Sequence, residues 1–207
     1  MDLYFSPLAC SMATRIALIE AGVTADFIAV DGKTKLTERG EPFKTINPLG
    51  LVPTLRTDAG EVITENAAIL QYVAAHHPEA QLAPEGLLER TRLQQWLCFV
   101  GTELHKQVFA VLLDKSAPEG AREYALSKAP ERLELLSQYL SGREYLLDAF
   151  SVADAYLVTV LNWSAATPVD LRRWPVLQEY ATRLRKRPSV AQALTYEREL
   201  YTREHAR

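Results

Sequence analysis

Asn47-Pro48-Leu49-Gly50-Leu51-Val52-Pro53, followed by Thr64-Glu65-Asn66, is the stretch on which the reading of this chain turns. Asn47 to Gly50 is rich in turn formers and interrupts any regular element. Pro53 has no backbone N–H, which confines Val52-Pro53 to a strand start, an edge or a turn. An extended backbone held there has N–H and C=O groups that can pair with a peptide-like ligand as an added strand. Glu65 and Asn66 follow where a helix opens, and a helix N-terminus favours a carboxylate. A short peptide with an α-amino-acid end suits both devices.

Working outward, Leu3-Tyr4-Phe5 reads as a strand ended by Ser6-Pro7. Helical spacing covers 10–21, with Gly22 as its stop. A second strand covers 27–30, and the polar stretch 33–46 reads as loop with short helical turns. Strands over 54–56 and 62–63 are joined by the hairpin turn Asp58-Ala59-Gly60. A helix over 66–75 completes a small mixed sheet covered by helices. Residues 79–86, with Pro84 and Gly86, read as a linker. Beyond it the strands stop. Leu93, Trp96, Leu97, Val100, Leu104, Val108 and Leu112 form one apolar stripe over 87–113. Pro118-Glu119-Gly120 reads as a break, and helices are expected over 129–140, 153–166 and 176–187, with a last one opened by Pro188. The expected organisation is an α/β domain over 1–78, a linker over 79–86 and an all-α domain over 87–207.

The chain has 207 residues, is 48% hydrophobic and carries a net charge of -3. That is enough for one large core or two small ones. The scattered charges leave no basic footprint for nucleic acid and no polybasic membrane patch. Arg183, Arg185, Lys186 and Arg187 read as a solvated helix end. No stretch is expected to reach a membrane span, and the N-terminus lacks the pattern of a signal peptide. Two cysteines do not make a disulfide framework, so a cytoplasmic, reduced protein is expected. His76 and His77 lack further ligands at useful spacing, so no metal site is expected.

Cys10 and Ser11 place a thiol and a hydroxyl at the start of the first helix, whose partial positive charge favours a thiolate. Cys10 is either a nucleophile or mixed-disulfide partner, or a hydrogen-bond donor to a bound thiolate. Cys98, Thr102 and His105, spaced i, i+4, i+7, are expected on one face of the long helix. His105, with an ordinary pKa near ~6.5, would change charge close to working pH. Ser151 and Asp154 form a capping box, a folding feature. Trp163 and Tyr156 read as core.

Ser6-Pro7 through Cys10-Ser11, Asn47-Pro48-x-Gly50-x-Val52-Pro53 and Thr64-Glu65-Asn66-x-Ala68-Ile69 together resemble the glutathione S-transferase family. Cys10 with Trp96-Leu97 and Thr102-Glu103-Leu104-His105-Lys106 resembles its bacterial beta class in particular. Ser151-Val152-Ala153-Asp154 resembles the family's helical capping box. The resemblance implies a thioredoxin-like N-terminal domain, an all-helical C-terminal domain, a homodimer, and a cis peptide before Pro53. It implies glutathione as co-substrate, with no other cofactor, and an electrophilic or disulfide second substrate in an apolar pocket lined by residues such as Leu8, Phe109 and Leu112. By the same resemblance Cys10 and His105 are the catalytic candidates. Val52, flanked by Leu51 and Pro53, pairs with the cysteinyl part of glutathione; Glu65 and Asn66 take its γ-glutamyl end; Lys35 meets the glycyl carboxylate. Ser11, Cys98, Thr102 and Glu103 complete the expected binding set, Glu103 through the neighbouring subunit's ligand. Cys98 departs from the beta-class pattern, which commonly has Asn there; a thiol is a weaker hydrogen-bonding group.

Overall fold

The computed structural model describes residues 1–205. The elements run β1 (Asp2–Phe5), α1 (Ser11–Glu20), β2 (Asp26–Ala29), β3 (Thr54–Arg56), β4 (Val62–Thr64), α2 (Asn66–His76) and α3 (Leu87–Phe99). A π-helical segment (Val100–Phe109) follows, then α4 (Ala110–Leu113), α5 (Glu119–Leu140), α6 (Val152–Asn162), α7 (Pro175–Leu184) and α8 (Pro188–His205). The chain packs as two units, Met1–Ala83 with the residues from Pro188 on, and Pro84–Arg187.

The first unit holds a four-stranded sheet in the order β2-β1-β3-β4. β1 is parallel to β2 and antiparallel to β3, which is antiparallel to β4. Consecutive residues Leu3, Tyr4 and Phe5 are all buried, because both faces of the central strand are covered. Met12, Ile16 and Ala17 of α1 and Ile69, Leu70 and Val73 of α2 are among the buried apolar residues of this unit. Tyr4, Ile28, Val30 and Phe43 form a cluster against which Ile46 and Val52 pack.

One boundary differs from the sequence expectation. α8, assigned by its position to the helical domain, packs on α1 and belongs to the unit that holds the sheet. The physical reason is a buried ion pair. Arg15 Nε donates to Glu197 Oε1 at 2.8 Å, with both side chains almost wholly enclosed. The Arg15 guanidinium lies over Phe27, Phe5 and Tyr196, at 3.9, 4.3 and 4.7 Å from the ring centroids. Such contacts favour a desolvated guanidinium. Glu197 Oε2 accepts from the Leu8 N–H at 2.7 Å. Burial pushes the Glu197 carboxyl up, against the pull of Arg15 and the Leu8 N–H.

The second unit is helical. Pro118 stands at the N-cap of α5 instead of inside a break, and the helix runs on through Pro130. Proline preorganises a first turn, and the one at 130 removes a single backbone hydrogen bond from a 22-residue helix. The expected boundary near 129 therefore lies inside α5. α6 opens on the expected capping box. Asp154 Oδ2 accepts from the Ser151 N–H and hydroxyl at 2.9 and 3.0 Å, and the Ser151 hydroxyl accepts from the Ala153 N–H. Asp154 does more than cap: its Oδ1 accepts from the Leu146 N–H at 2.9 Å and the Tyr180 hydroxyl at 2.7 Å.

Two further expectations need correction. The continuous rod Leu87–Leu113 is long and apolar enough, by length and composition, to cross a membrane. Its stripe of Leu93, Trp96, Leu97, Val100, Leu104 and Val108 is buried, and its middle segment packs on α5 and α6, as the core helix of a helical unit does. The arginines after 182 are also not merely a solvated end. Arg185 Nε donates to Asn162 Oδ1 at 2.6 Å, and Arg187 lies 3.9 Å over the Phe150 ring.

Candidate functional site

In the first unit the register decides what meets what. Thr54 pairs with Thr64 and with Tyr4. The segment entering β3, the segment leaving β4 and the loop leaving β1 therefore emerge at one end of the sheet. Val52-Pro53, Glu65-Asn66 and Ser6 to Cys10 are those segments, and the peptide between Val52 and Pro53 is cis. Asn47 holds the turn: its Nδ2 donates to the Leu51 carbonyl at 2.8 Å and to Thr54 Oγ1 at 3.0 Å, and its Oδ1 accepts from the Leu49 N–H. Gly50, at φ +62°, supplies the left-handed residue the turn needs.

The Cys10 thiol donates to the Val52 carbonyl at 3.4 Å. The Val52 N–H has no protein acceptor among the described residues. Glu65 adopts φ +67°, an unusual conformation for a residue with a Cβ, at the N-cap of the 11-residue α2. Its side chain is exposed, while Asn66 is buried and accepts from the Thr14 hydroxyl at 2.9 Å. The Asn66 Nδ2 is enclosed without a protein partner. Lys35, at φ +58°, and Lys44 both run over the turn: a Cβ added to Gly50 would meet each side chain at 3.4 Å. Ser11 is turned inward. Its hydroxyl donates to the Ser6 carbonyl at 3.3 Å and it is fully buried. It secures the loop instead of facing a ligand.

In the second unit His105 lies on the π-helical segment. A π-helical run of ten residues is long for a conformation that mostly appears as single turns near functional sites. Of the three residues expected on one face, Cys98 and Thr102 are exposed and His105 is buried. The Thr102 hydroxyl donates to the Cys98 carbonyl of its own helix at 3.0 Å. Glu103 Oε2 accepts from Arg132 at 2.9 Å, engaged within its own unit. Phe109 is fully buried against Trp163, so it lines no open pocket.

His105 Nδ1 is 2.6 Å from the Tyr156 hydroxyl, and its ring meets Trp163 edge-on with centroids 4.9 Å apart. Burial, with Lys106 adding to it, lowers its pKa from 6.5 to about 4. The imidazole is therefore neutral at physiological pH and does not switch charge there, contrary to the sequence expectation. The unfolded chain binds this proton first, so the contribution is present above about 6.5 and is lost as pH falls toward 4. Relative to His105→Gln, the wild type is expected to lose about 2 kcal/mol of stability between pH 7 and pH 5. Urea unfolding of both proteins at the two pH values checks this; equal losses would contradict it.

The family model for the glutathione S-transferase N-terminal domain matches residues 9–76, and that for its C-terminal domain matches 66–188. The glutathione S-transferase GstA of Escherichia coli O157:H7 is 35% identical over 95% of this chain and 98% of its own. The chain belongs to the glutathione S-transferase family. Among solved structures, a sphingomonad glutathione S-transferase complexed with glutathione is 43% identical, with a TM-score of 0.91 over 95% of this chain and 98% of that one. A bacterial beta class glutathione S-transferase from Sphingomonas chungbukensis gives the same identity, coverage and TM-score. This member of the family is thus beta class-like, with the thioredoxin-like sheet in one unit and helices in the other.

Within this transferase fold, the first unit gathers Cys10, Val52, Glu65 and Asn66 at one sheet end, with Lys35 over the neighbouring turn. Leu51 contributes its carbonyl to Asn47, and Pro53 is buried. Sequence reasoning missed Lys44, Thr14, Arg15, Glu197 and the role of Tyr156. Only Lys44 carried a local signal, a cation three residues before the Asn47 turn.

Proposed function

We propose that this protein is a glutathione transferase that binds glutathione, keeps its sulfur as the thiolate, and lets it attack electrophilic, mostly apolar substrates. The observation that carries the reading is the Val52 backbone. It presents an unpaired N–H, and its carbonyl accepts from the Cys10 thiol, at the sheet end where α2 begins. The cysteinyl part of glutathione would pair with Val52 as an added strand. Its γ-glutamyl carboxylate would meet the N–H groups opening α2 and the Asn66 amide, and its ammonium the Glu65 carboxylate. Lys35 and Lys44 would meet the glycyl carboxylate. The sphingomonad relative with glutathione bound supports this choice of ligand. We read the protein further as a cytoplasmic homodimer with a detoxifying role.

A second reading draws on the same thiol. Cys10 lies where the cysteinyl sulfur would approach, which favours a mixed disulfide and a thiol–disulfide oxidoreductase activity. Cys10→Ala separates the two. For the transferase, conjugation to a chlorinated nitroaromatic is expected to fall by no more than about tenfold, because positioning of the ligand thiol survives. Disulfide reduction falling a hundredfold or more while conjugation persists would assign Cys10 to redox chemistry alone. Glu65→Ala is expected to raise the KM for glutathione at least tenfold, as loss of one charge-assisted pair. Failure of the wild type to bind immobilised glutathione or to turn over either substrate would leave a non-enzymatic binding member of the fold.

A further inference from the structure

We propose that Thr14 is a positioning residue that makes the ligand site select a carboxylate: its hydroxyl holds the oxygen of the Asn66 amide and leaves the amide N–H donors for the ligand. The proposal rests on the transferase reading above, which brings a γ-glutamyl carboxylate to the start of α2. Thr14 on α1 and Asn66 on α2 belong to helices that pack on each other within the unit holding the sheet. Thr14 is fully buried, and Asn66 is 6% exposed. The Thr14 hydroxyl donates to Asn66 Oδ1 at 2.9 Å, while Asn66 Nδ2 is enclosed without a protein partner.

An asparagine amide has an acceptor end and a donor end, and turning it over exchanges them. A hydroxyl can serve either end, so the place of its proton decides. Threonines inside helices commonly return that proton to their own backbone. Thr91, Thr102, Thr159 and Thr202 each donate to the carbonyl four residues back, at 2.8–3.0 Å. Thr14 does not; its one donor crosses to α2. With that proton on Oδ1, the amide cannot turn over without setting two donors against each other. The first turn of α2 also lacks a side-chain cap. Open backbone donors and an unpartnered amide donor thus stand at one helix start, an arrangement that suits an anion. A buried amide left unsatisfied is costly, and a bound carboxylate removes that penalty. Turned over, the amide would present its oxygen to the carboxylate, and the two acceptors would repel. Glu65, at the N-cap, carries the opposite sign and suits the ammonium of the same ligand end.

Thr14→Val keeps the shape of the side chain and removes the donor. In the full-length protein the KM for glutathione is expected to rise about tenfold with kcat little changed. Thr14→Ser, which keeps the hydroxyl, is expected to restore most of the affinity. Two calorimetric comparisons test whether the effect passes through Asn66 and the carboxylate. In an Asn66→Ala background, Thr14→Val is expected to add little further loss. Toward γ-aminobutyryl-cysteinylglycine, which is glutathione without its γ-glutamyl carboxylate, wild type and Thr14→Val are expected to bind alike. A full tenfold loss in either comparison overturns the proposal. Should Thr14→Val not fold, Asn66→Asp keeps the acceptor for Thr14 and removes the donor. It is expected to bind glutathione at least tenfold more weakly than wild type, and equal binding overturns the proposal. If wild type holds both peptides equally, the placement of the carboxylate on α2 falls and takes the proposal with it. If wild type prefers glutathione and Thr14→Val binds it as tightly, the proposal alone falls.

Discussion

Replacing Glu197 with alanine is expected to lower the unfolding free energy by about 3–5 kcal/mol, the effect of leaving one charge of a buried pair uncompensated. Arg15 would remain enclosed among Phe5, Phe27 and Tyr196, with nothing to balance it. The Leu8 N–H would lose its bond to that carboxylate as well. Leu8 sits at φ +61°, a conformation that its side chain does not favour, two residues before Cys10. The loop carrying the thiol is therefore expected to loosen along with the helix packing. Urea denaturation measures the stability, and the rate of Cys10 alkylation measures the loop. The double variant Arg15→Met, Glu197→Leu should recover most of the lost stability, because apolar groups of similar volume replace buried ion pairs at little net cost. A single-variant loss below about 1 kcal/mol would show that the pair matters little.

The second large effect is expected at Asp154. Alanine there removes the acceptor for four hydrogen bonds, from Ser151 N–H and hydroxyl, Leu146 N–H and Tyr180 hydroxyl. The Leu146 amide and the Tyr180 hydroxyl are left buried without it. At about 1–3 kcal/mol for each stranded buried group, and about 1 kcal/mol for the cap, the loss should exceed 3 kcal/mol. Asparagine is no rescue. One oxygen of the carboxylate would become an amide donor facing donors, so Asp154→Asn should lose nearly as much. Calorimetric or denaturant unfolding of both variants checks this, and a tolerated Asn would mean that fewer of the four bonds matter. The same replacements are expected to leave the sheet-bearing unit's own hydrogen bonds intact.

The two buried titratable groups also push stability in opposite directions. His105 binds its proton less readily in the folded chain, so its contribution is lost as pH falls. Glu197 is raised, so its contribution is greatest below the ordinary carboxylate range and is lost as pH rises. Over mildly acidic pH the slopes oppose each other, and the difference between variants isolates each one.

The sequence made the sheet legible because its signals are local. Val52-Pro53 marks an entry to a strand, Asp58-Ala59-Gly60 a hairpin, and Ser151 with Asp154 a helix start. The gathering of Cys10, Val52 and Glu65 followed from that order of elements. Other features depend on packing that no local window carries. The apolar stripe through 100–109 fits an α-helix and a π-helix alike, and it does not tell that His105 is buried while Cys98 and Thr102 are exposed. Pro130 reads as a boundary, yet the flanking turns of α5 hold the helix through it. Tyr156 and Trp163 fit the pattern of core residues, and they are core; what spacing does not reveal is that they enclose His105. Arg15 and Glu197 stand 182 residues apart, beyond any motif.

That separation has a consequence for how the molecule is made. The unit that holds the thiol is closed by a helix that is synthesised after the whole helical unit. A nascent chain halted before Pro188 has its sheet, its turn at Asn47 and its Cys10, but Arg15 and the Leu8 N–H both lack their bonds to the Glu197 carboxylate. Closing so long a loop adds to the entropy that must be overcome before the contact stabilises anything. Elongation at about 5–20 residues per second leaves that sheet waiting several seconds for its last helix. The thiol-bearing loop therefore gains its final geometry only when α8 docks back onto α1.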